Sequence, residues 1–286
     1  MNEIRLNAYA KVNLTLDILS RRDDGYHSLS SVMQSISLCD EVYVKKADEL
    51  LIFCDRKDVP CDQRNIAYKL AVKFFEYTKI KGGAEIHIKK RIPSQAGLGG
   101  GSADGAAVLL ALNKLYDTNL SDEVLCLLGA QVGADIPFCL KGGTLLAQGI
   151  GEVLSPLPAL PNCYIVIAKP DFGINTKMAY KAFDEMELTP DCATPEFVKA
   201  LSGKLEGIAP KVNNMFEDCL KSKEIEAIKL RLLSGGAKGA AMSGSGSAVF
   251  GIFESLERAN DTAGMLQDLG LFVYISTPKN CSVEEV

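Results

Sequence analysis

The sequence predicts an α+β protein of two domains, and three observations carry that prediction. Strand-like and helix-like runs are interleaved in an order that lets the strands pair antiparallel, which suits α+β sandwiches better than a doubly wound parallel sheet. The chain has 286 residues, more than the ~250 at which single cores stop growing. Near its middle, Leu154-Ser155-Pro156-Leu157-Pro158-Ala159-Leu160-Pro161 reads as a linker, because proline lacks the N–H that regular structure needs. The boundary is placed there, giving domains at 1–155 and 156–286.

Val12, Leu14, Leu16 and Ile18 alternate with Asn13, Thr15, Asp17 and Leu19, a two-residue period that predicts a strand with one face buried. Arg21-Arg22-Asp23-Asp24-Gly25 ends it as a turn. Further strands are expected at 41–44, 50–54 and 84–92. Residues 65–77 have helical spacing, with Ile66, Leu70 and Phe74 on one face. The Ala- and Leu-rich stretch 101–116 predicts a helix. A second follows at 122–131, capped by Ser121, with Asp122 and Glu123 at its positive end. An apolar strand is expected at 143–147. Beyond the linker come a strand at 163–168 and helices at 176–186, 195–201 and 222–233. Strands at 240–242 and 248–253, a helix at 256–269 and a strand at 272–276 complete the series.

Composition narrows the function classes. Hydrophobic residues make up 47% and charged residues 23%, the balance of a folded domain rather than a disordered tail. A net charge of -5 without long single-sign runs argues against a nucleic-acid or membrane-surface binder, so small-molecule partners are expected. The nine cysteines are scattered and form no CxxC pair, which suggests neither a disulfide framework nor a zinc site. No apolar signal core, transit segment or run of ~18 apolar residues is visible, and a cytoplasmic location is expected.

The strongest local signal is Pro93-Ser94-Gln95-Ala96-Gly97-Leu98-Gly99-Gly100-Gly101-Ser102-Ala103, between a strand and a helix. Glycines let backbone N–H groups approach phosphate oxygens, and the helix that follows adds unpaired N–H groups and a positive dipole end. Ser102 offers a hydroxyl to a phosphate or to its metal. No lysine follows the glycines, so this is not a GxxxxGK[ST] loop, and Ser102 stands where GxGxxG would end in glycine. Taken alone, the loop says phosphate without saying which nucleotide, and a tight turn at a helix start has the same composition. A second small-residue loop, Ser243-Gly244-Ser245-Gly246-Ser247, lies between two strands; alone it reads as a hairpin. Lys11 and Asn13 on the first strand, and Gly25-Tyr26-His27 after it, form a third segment. His87, mid-strand, reads as structural.

Together these segments resemble the GHMP kinase superfamily: a lysine-bearing first strand, a central PxxxGLGGGSA loop and a late SGSGS loop. Within it, Ala8-Tyr9-Ala10-Lys11-Val12-Asn13-Leu14-Thr15-Leu16 and Arg22-Asp23-Asp24-Gly25-Tyr26-His27 are similar to the branch that phosphorylates a cytidine diphosphate conjugate of methylerythritol. Gly133-Ala134-Asp135-Ile136-Pro137 matches that group's GADxP motif. The resemblance implies a two-domain GHMP kinase fold, with a ribosomal-protein-S5-like amino-terminal domain, a ferredoxin-like carboxy-terminal domain and both ligands in the cleft between them. It implies transfer of the ATP γ-phosphate to the 2-hydroxyl of that conjugate. The eleven-residue loop would hold ATP, and Asn65, which also suits a helix cap, would lie near the adenine. Mg2+ is expected to arrive with ATP, because no carboxylate cluster announces a protein cage.

On this reading Asp135 accepts the substrate proton, and Lys11 beside it keeps the carboxylate ionised and stabilises charge on the reacting oxygen. Asn13, Tyr26 and His27 are expected to surround the cytidine end by hydrogen bonds and stacking. Thr176 and Tyr180, one helical turn apart, would face it from the second domain. Two other classes remain open at this point, a nucleotide-sensing protein without catalysis and a dinucleotide-dependent oxidoreductase. The latter would want its glycine loop in a first βαβ unit.

Overall fold

A computed structural model describes residues 2–186 and 191–286. The chain order is β1 (Glu3–Arg21), β2 (His27–Ala47), β3 (Leu51–Cys54), α1 (Ile66–Thr78), β4 (Gly83–Lys89), α2 (Gly100–Leu115), α3 (Asp122–Ala130), α4 (Ile136–Lys141), β5 (Thr144–Gln148) and β6 (Val153–Pro156). There follow β7 (Tyr164–Lys169), α5 (Thr176–Asp184), α6 (Thr194–Ala200), α7 (Leu205–Ile208), a 3-10 turn (Ala209–Lys211), β8 (Asn213–Asn214), α8 (Met215–Leu220) and α9 (Lys223–Ser234). The last elements are β9 (Gly239–Met242), β10 (Val249–Phe253), α10 (Leu256–Gln267), β11 (Phe272–Ser276) and β12 (Val283–Glu285).

Two sheets organise the molecule. The larger has the path β12-β1-β2-β4-β3, with β5 and β6 extending from β2 and β8 lying parallel to β1. The smaller is antiparallel, in the order β11-β7-β10-β9. The single long strand β2 pairs with β5 through Ser31 to Gln34 and with β4 through Glu41 to Ala47.

The period of two in β1 extends well beyond the predicted segment. Ile4, Leu6, Ala8, Ala10, Val12 and Leu14 enter a core shared with α1, α2 and α4, as expected for a strand with alternate side chains on opposite faces. Leu16 and Ile18 instead join the second core, with Phe216, Val249 and Phe253. β1 therefore leaves one hydrophobic core and enters the other, which carries Lys11 to the junction between them.

Three features span the boundary placed between residues 155 and 156. The proline-rich stretch begins as a strand: β6 pairs with β5 as the sheet's edge and ends at Pro156, a position where a missing N–H breaks no ladder. The chain's end returns to the first sheet, where Val283–Glu285 pair with Ala8 to Leu6 of β1. α6 also crosses over, because the buried Asp17 carboxylate on β1 accepts the Ala193 and Thr194 N–H groups at 3.1 and 2.9 Å.

Candidate functional site

Lys11 is the centre around which two glycine loops close. Its backbone N–H donates to Leu98 O at 3.0 Å, tying the first loop to β1. A Cβ added to Gly99 would meet Lys11 Cγ at 3.0 Å, and one added to Gly244 would meet its Nζ at 3.3 Å. The loops also touch each other: a Cβ on Gly97 would fall 1.9 Å from Ser243 O. Ala248 N–H donates to Ala96 O at 3.1 Å. Ser243, fully buried, accepts Asn13 N–H at 3.2 Å and donates to Gly97 O at 2.9 Å.

The N-cap of α2 is Gly99, which takes the left-handed φ of 69° and offers no side chain as a cap. The first-turn N–H groups are thus left for a ligand, at the positive end of a 16-residue helix. Asp135 stands at the start of α4, and its Oδ2 lies 3.5 Å from Lys11 Nζ. Lys11 also donates to Asn13 Oδ1 at 2.6 Å, and Asn13 Nδ2 donates to Ser31 Oγ at 2.8 Å.

These groups line a cavity of about 990 Å³ between the two cores, a volume suited to two nucleotide-sized ligands only where both are partly exposed. From the first loop, Gln95, Gly97, Gly99 and Ser102 reach it; from the second, Gly244, Ser245 and Gly246. Ala96, Leu98 and Ala103 bury their side chains in the core, so they can offer only backbone to a nucleotide. Ser94 donates to Asp58 at 3.0 Å, and Pro93, Gly100 and Gly101 lie outside the lining. Asn65 also lies outside it: its side chain caps α1 through Ala67 N–H at 2.9 Å and donates to Pro60 O at 2.8 Å.

The expected substrate shell converges at the other end. Tyr26 is 61% exposed at the rim, while His27 is buried. His27 Nε2 pairs with Asp184 Oδ1 at 2.6 Å and its ring stacks on Tyr180, centroids 4.8 Å apart. Tyr180 meets Phe216 edge-on at 5.0 Å. Burial, with a smaller push from the Asp135 charge, raises the Tyr180 phenol to about 12, which keeps it a neutral donor. Thr176 Oγ1 bonds Ser245 Oγ at 2.8 Å, joining α5 to the second glycine loop. Asn13 lines the cavity as well, with its amide oxygen accepting from Lys11 and its amide nitrogen donating to Ser31.

Sequence reasoning missed Asp184, Lys177, Lys181 and Phe216. Asp184 follows Thr176 and Tyr180 by one more turn of α5, so extending the four-residue period would have found it. Nothing in the pattern pointed to Phe216. His87 lies elsewhere, stacked on Phe53 at 4.7 Å and bonded to Glu85. Ser121 takes the N-cap position of α3 without a side-chain cap bond.

Comparison with known proteins identifies the family. Residues 65–143 match the GHMP kinases N terminal domain and 212–270 the GHMP kinases C terminal domain. A 4-diphosphocytidyl-2-C-methyl-D-erythritol kinase of Carboxydothermus hydrogenoformans is 48% identical over 258 residues, 89% of this chain and 90% of that protein. One of Clostridium acetobutylicum is 43% identical over 260 residues, 90% and 93% of the two chains. A crystal structure of 4-(cytidine 5'-diphospho)-2C-methyl-D-erythritol kinase superposes with a TM-score of 0.82 at 36% identity, covering 96% of this chain and 98% of that one. A homoserine kinase from Cytophaga hutchinsonii shares the fold, with a TM-score of 0.80 at 21% identity over 100% and 98% of the chains. With two GHMP domains in order and relatives above 40% identity along nine-tenths of its length, the chain belongs to the 4-diphosphocytidyl-2-C-methyl-D-erythritol kinase family of GHMP kinases.

Proposed function

We propose that this protein transfers the γ-phosphate of ATP to the 2-hydroxyl of 4-diphosphocytidyl-2-C-methyl-D-erythritol, giving the 2-phosphate and ADP in the non-mevalonate route to isoprenoid precursors. The observation that carries the reading is the Lys11–Asp135 pair at 3.5 Å. It lies between a glycine loop suited to phosphate and an aromatic pocket suited to a base.

The reaction needs little covalent work from the protein, since phosphoryl transfer runs through a loose transition state that positioning and charge stabilise. Asp135, 35% exposed toward the cleft, accepts the hydroxyl proton. Lys11, held from behind by Asn13, neutralises charge on the reacting oxygen. The N–H groups of the first turn of α2 and of Gly244 and Ser245 would face the phosphates, while Gly246 N–H closes the second loop on Ser243 O at 2.9 Å. Tyr26 and Tyr180 offer ring faces to cytosine and His27 a ring nitrogen.

Mg2+ would arrive with ATP. Among the described residues no three His, Cys, Asp or Glu side chains cluster as a cage, while the Ser102 hydroxyl at the cavity wall is a hard oxygen donor of the kind the ion takes. When bound, the ion would neutralise phosphate charge. The proposed setting is the cytoplasm, a reading supported by nine free cysteines. The test follows ADP release with Mg-ATP and the cytidine conjugate, mevalonate or homoserine. Turnover confined to the cytidine conjugate supports the assignment; turnover with another acceptor alone discards it.

A further inference from the structure

Beneath the glycine loop, one ammonium group is enclosed by two carboxylates. Lys90, the residue after β4, donates to Asp104 Oδ2 at 2.7 Å and also to Asp40 Oδ2. The three side chains are 4%, 4% and 0% exposed. Asp40, on β2, accepts the backbone N–H groups of Arg91 and Ile92 at 2.6 and 2.8 Å, fixing the chain just before Pro93. Asp104 stands one turn into α2, just after Ala103. One lysine therefore joins the two ends of the loop.

The ammonium also lies under the loop's working end, since a Cβ added at Gly100 would sit 3.2 Å from Lys90 Nζ. Between the two anchors runs a segment with four glycines, two of them at positive φ, and Gln95 at a φ of 51°. Such a segment is entropically costly to order. The cluster is a poor choice for stability alone. An ammonium and two carboxyl groups are desolvated together in the interior, and Asp104 Oδ1 has no hydrogen-bond partner among the described residues.

We propose that Lys90, with Asp40 and Asp104, is a positioning residue for ATP that holds the glycine loop and the first turn of α2 in the phosphate-binding arrangement before nucleotide arrives. The inference rests on reading the cleft as an ATP site. It makes ATP affinity, rather than acceptor affinity or the chemical step, the quantity the cluster controls.

Mg-ATP binding without acceptor is measured by calorimetry for the wild type, Asp104→Asn and Lys90→Met, together with KM for both substrates and circular dichroism for folding. Lys90→Met alone leaves two carboxylates face to face, so the double variant Lys90→Met/Asp104→Asn replaces it if it does not fold. The expected result is an ATP Kd raised about tenfold, the scale of one charge-assisted hydrogen bond. Acceptor KM and saturated turnover stay within about twofold, as for sites without shared partners. An unchanged ATP Kd in folded variants overturns the proposal, as does an equal rise in both KM values. Because Kd is read without acceptor, a wild type that binds ATP yet ignores the cytidine conjugate defeats the functional assignment and leaves this comparison to decide its own question.

Discussion

Lys11 Nζ and Asp135 Oδ2 stand 3.5 Å apart although their residues come from the first strand and the start of α4. Their exposures differ sharply, 4% for the lysine and 35% for the aspartate. The ammonium is thus delivered from behind, through the wall of the cleft, and the carboxylate faces the cleft where the proposed reaction puts the hydroxyl. Asn13 and Ser31 behind Lys11 complete the support.

Removing either member should depress turnover more than binding. Lys11→Met and Asp135→Asn are each expected to lower kcat by about 10²- to 10⁴-fold, the range of a positioned proton acceptor or its charge partner. ATP KM should move far less. Steady-state ADP release measures both. A large rise in KM with kcat intact would assign the pair to ground-state binding instead.

The contact between the glycine loops makes Gly97 intolerant of any side chain. Its φ is 74°, and a Cβ would lie 1.9 Å from Ser243 O, a backbone atom that cannot swing aside. Gly97→Ala should abolish measurable ATP binding and lower Tm. Gly270→Ala is the control, since its φ of 76° leaves open space within 4 Å. It should cost only backbone strain, about 1 kcal/mol, with ATP binding unchanged by calorimetry.

How far the sequence reveals this site depends on the range of each interaction. Gly97 to Gly101 are legible as a phosphate loop from their own composition, whereas Lys11 and Asp135 stand out only through the motifs the chain shares with GHMP kinases. The two-core architecture is visible in periodicity, but β1's passage from one core to the other is not, since Leu14 and Leu16 continue one uninterrupted alternation. β12 and the Asp17 cap of α6 escape for the same reason: each is decided by a partner more than 170 positions away. The first three residues of the 154–161 stretch belong to β6, because a sheet edge tolerates Pro156.

At the far end of the cleft, Tyr180 offers a test of the cytidine pocket. It stacks on His27 at 4.8 Å and is braced by Phe216. Tyr180→Ala should raise acceptor KM by about tenfold or more, since ring–base stacking is worth about 1–3 kcal/mol. ATP KM should hold steady. Tyr180→Phe keeps the ring and should behave as wild type; if it matches Tyr180→Ala, the hydroxyl rather than the ring face is the recognition element.

Asp104 makes stability depend on pH with a definite sign. Burial, only partly offset by the Lys90 charge and reinforced by Asp40, raises its carboxyl to about 8 from the ordinary 3.8. Lys90 and Asp40 face it from the strand side, and Cys139 on α4 lies within its field. Between these two pKa values the folded chain holds a proton that the unfolded chain has released. The contribution is therefore fully present below pH 3.8 and is lost as pH rises toward about 8. The steepest slope is one proton's worth, about 1.4 kcal/mol per pH unit. Asp104→Asn removes the titrating group, so its urea midpoint should fall less than that of the wild type between pH 6 and pH 8. Parallel pH profiles for the two proteins would mean that Asp104 stays ionised throughout, balanced by Lys90 alone.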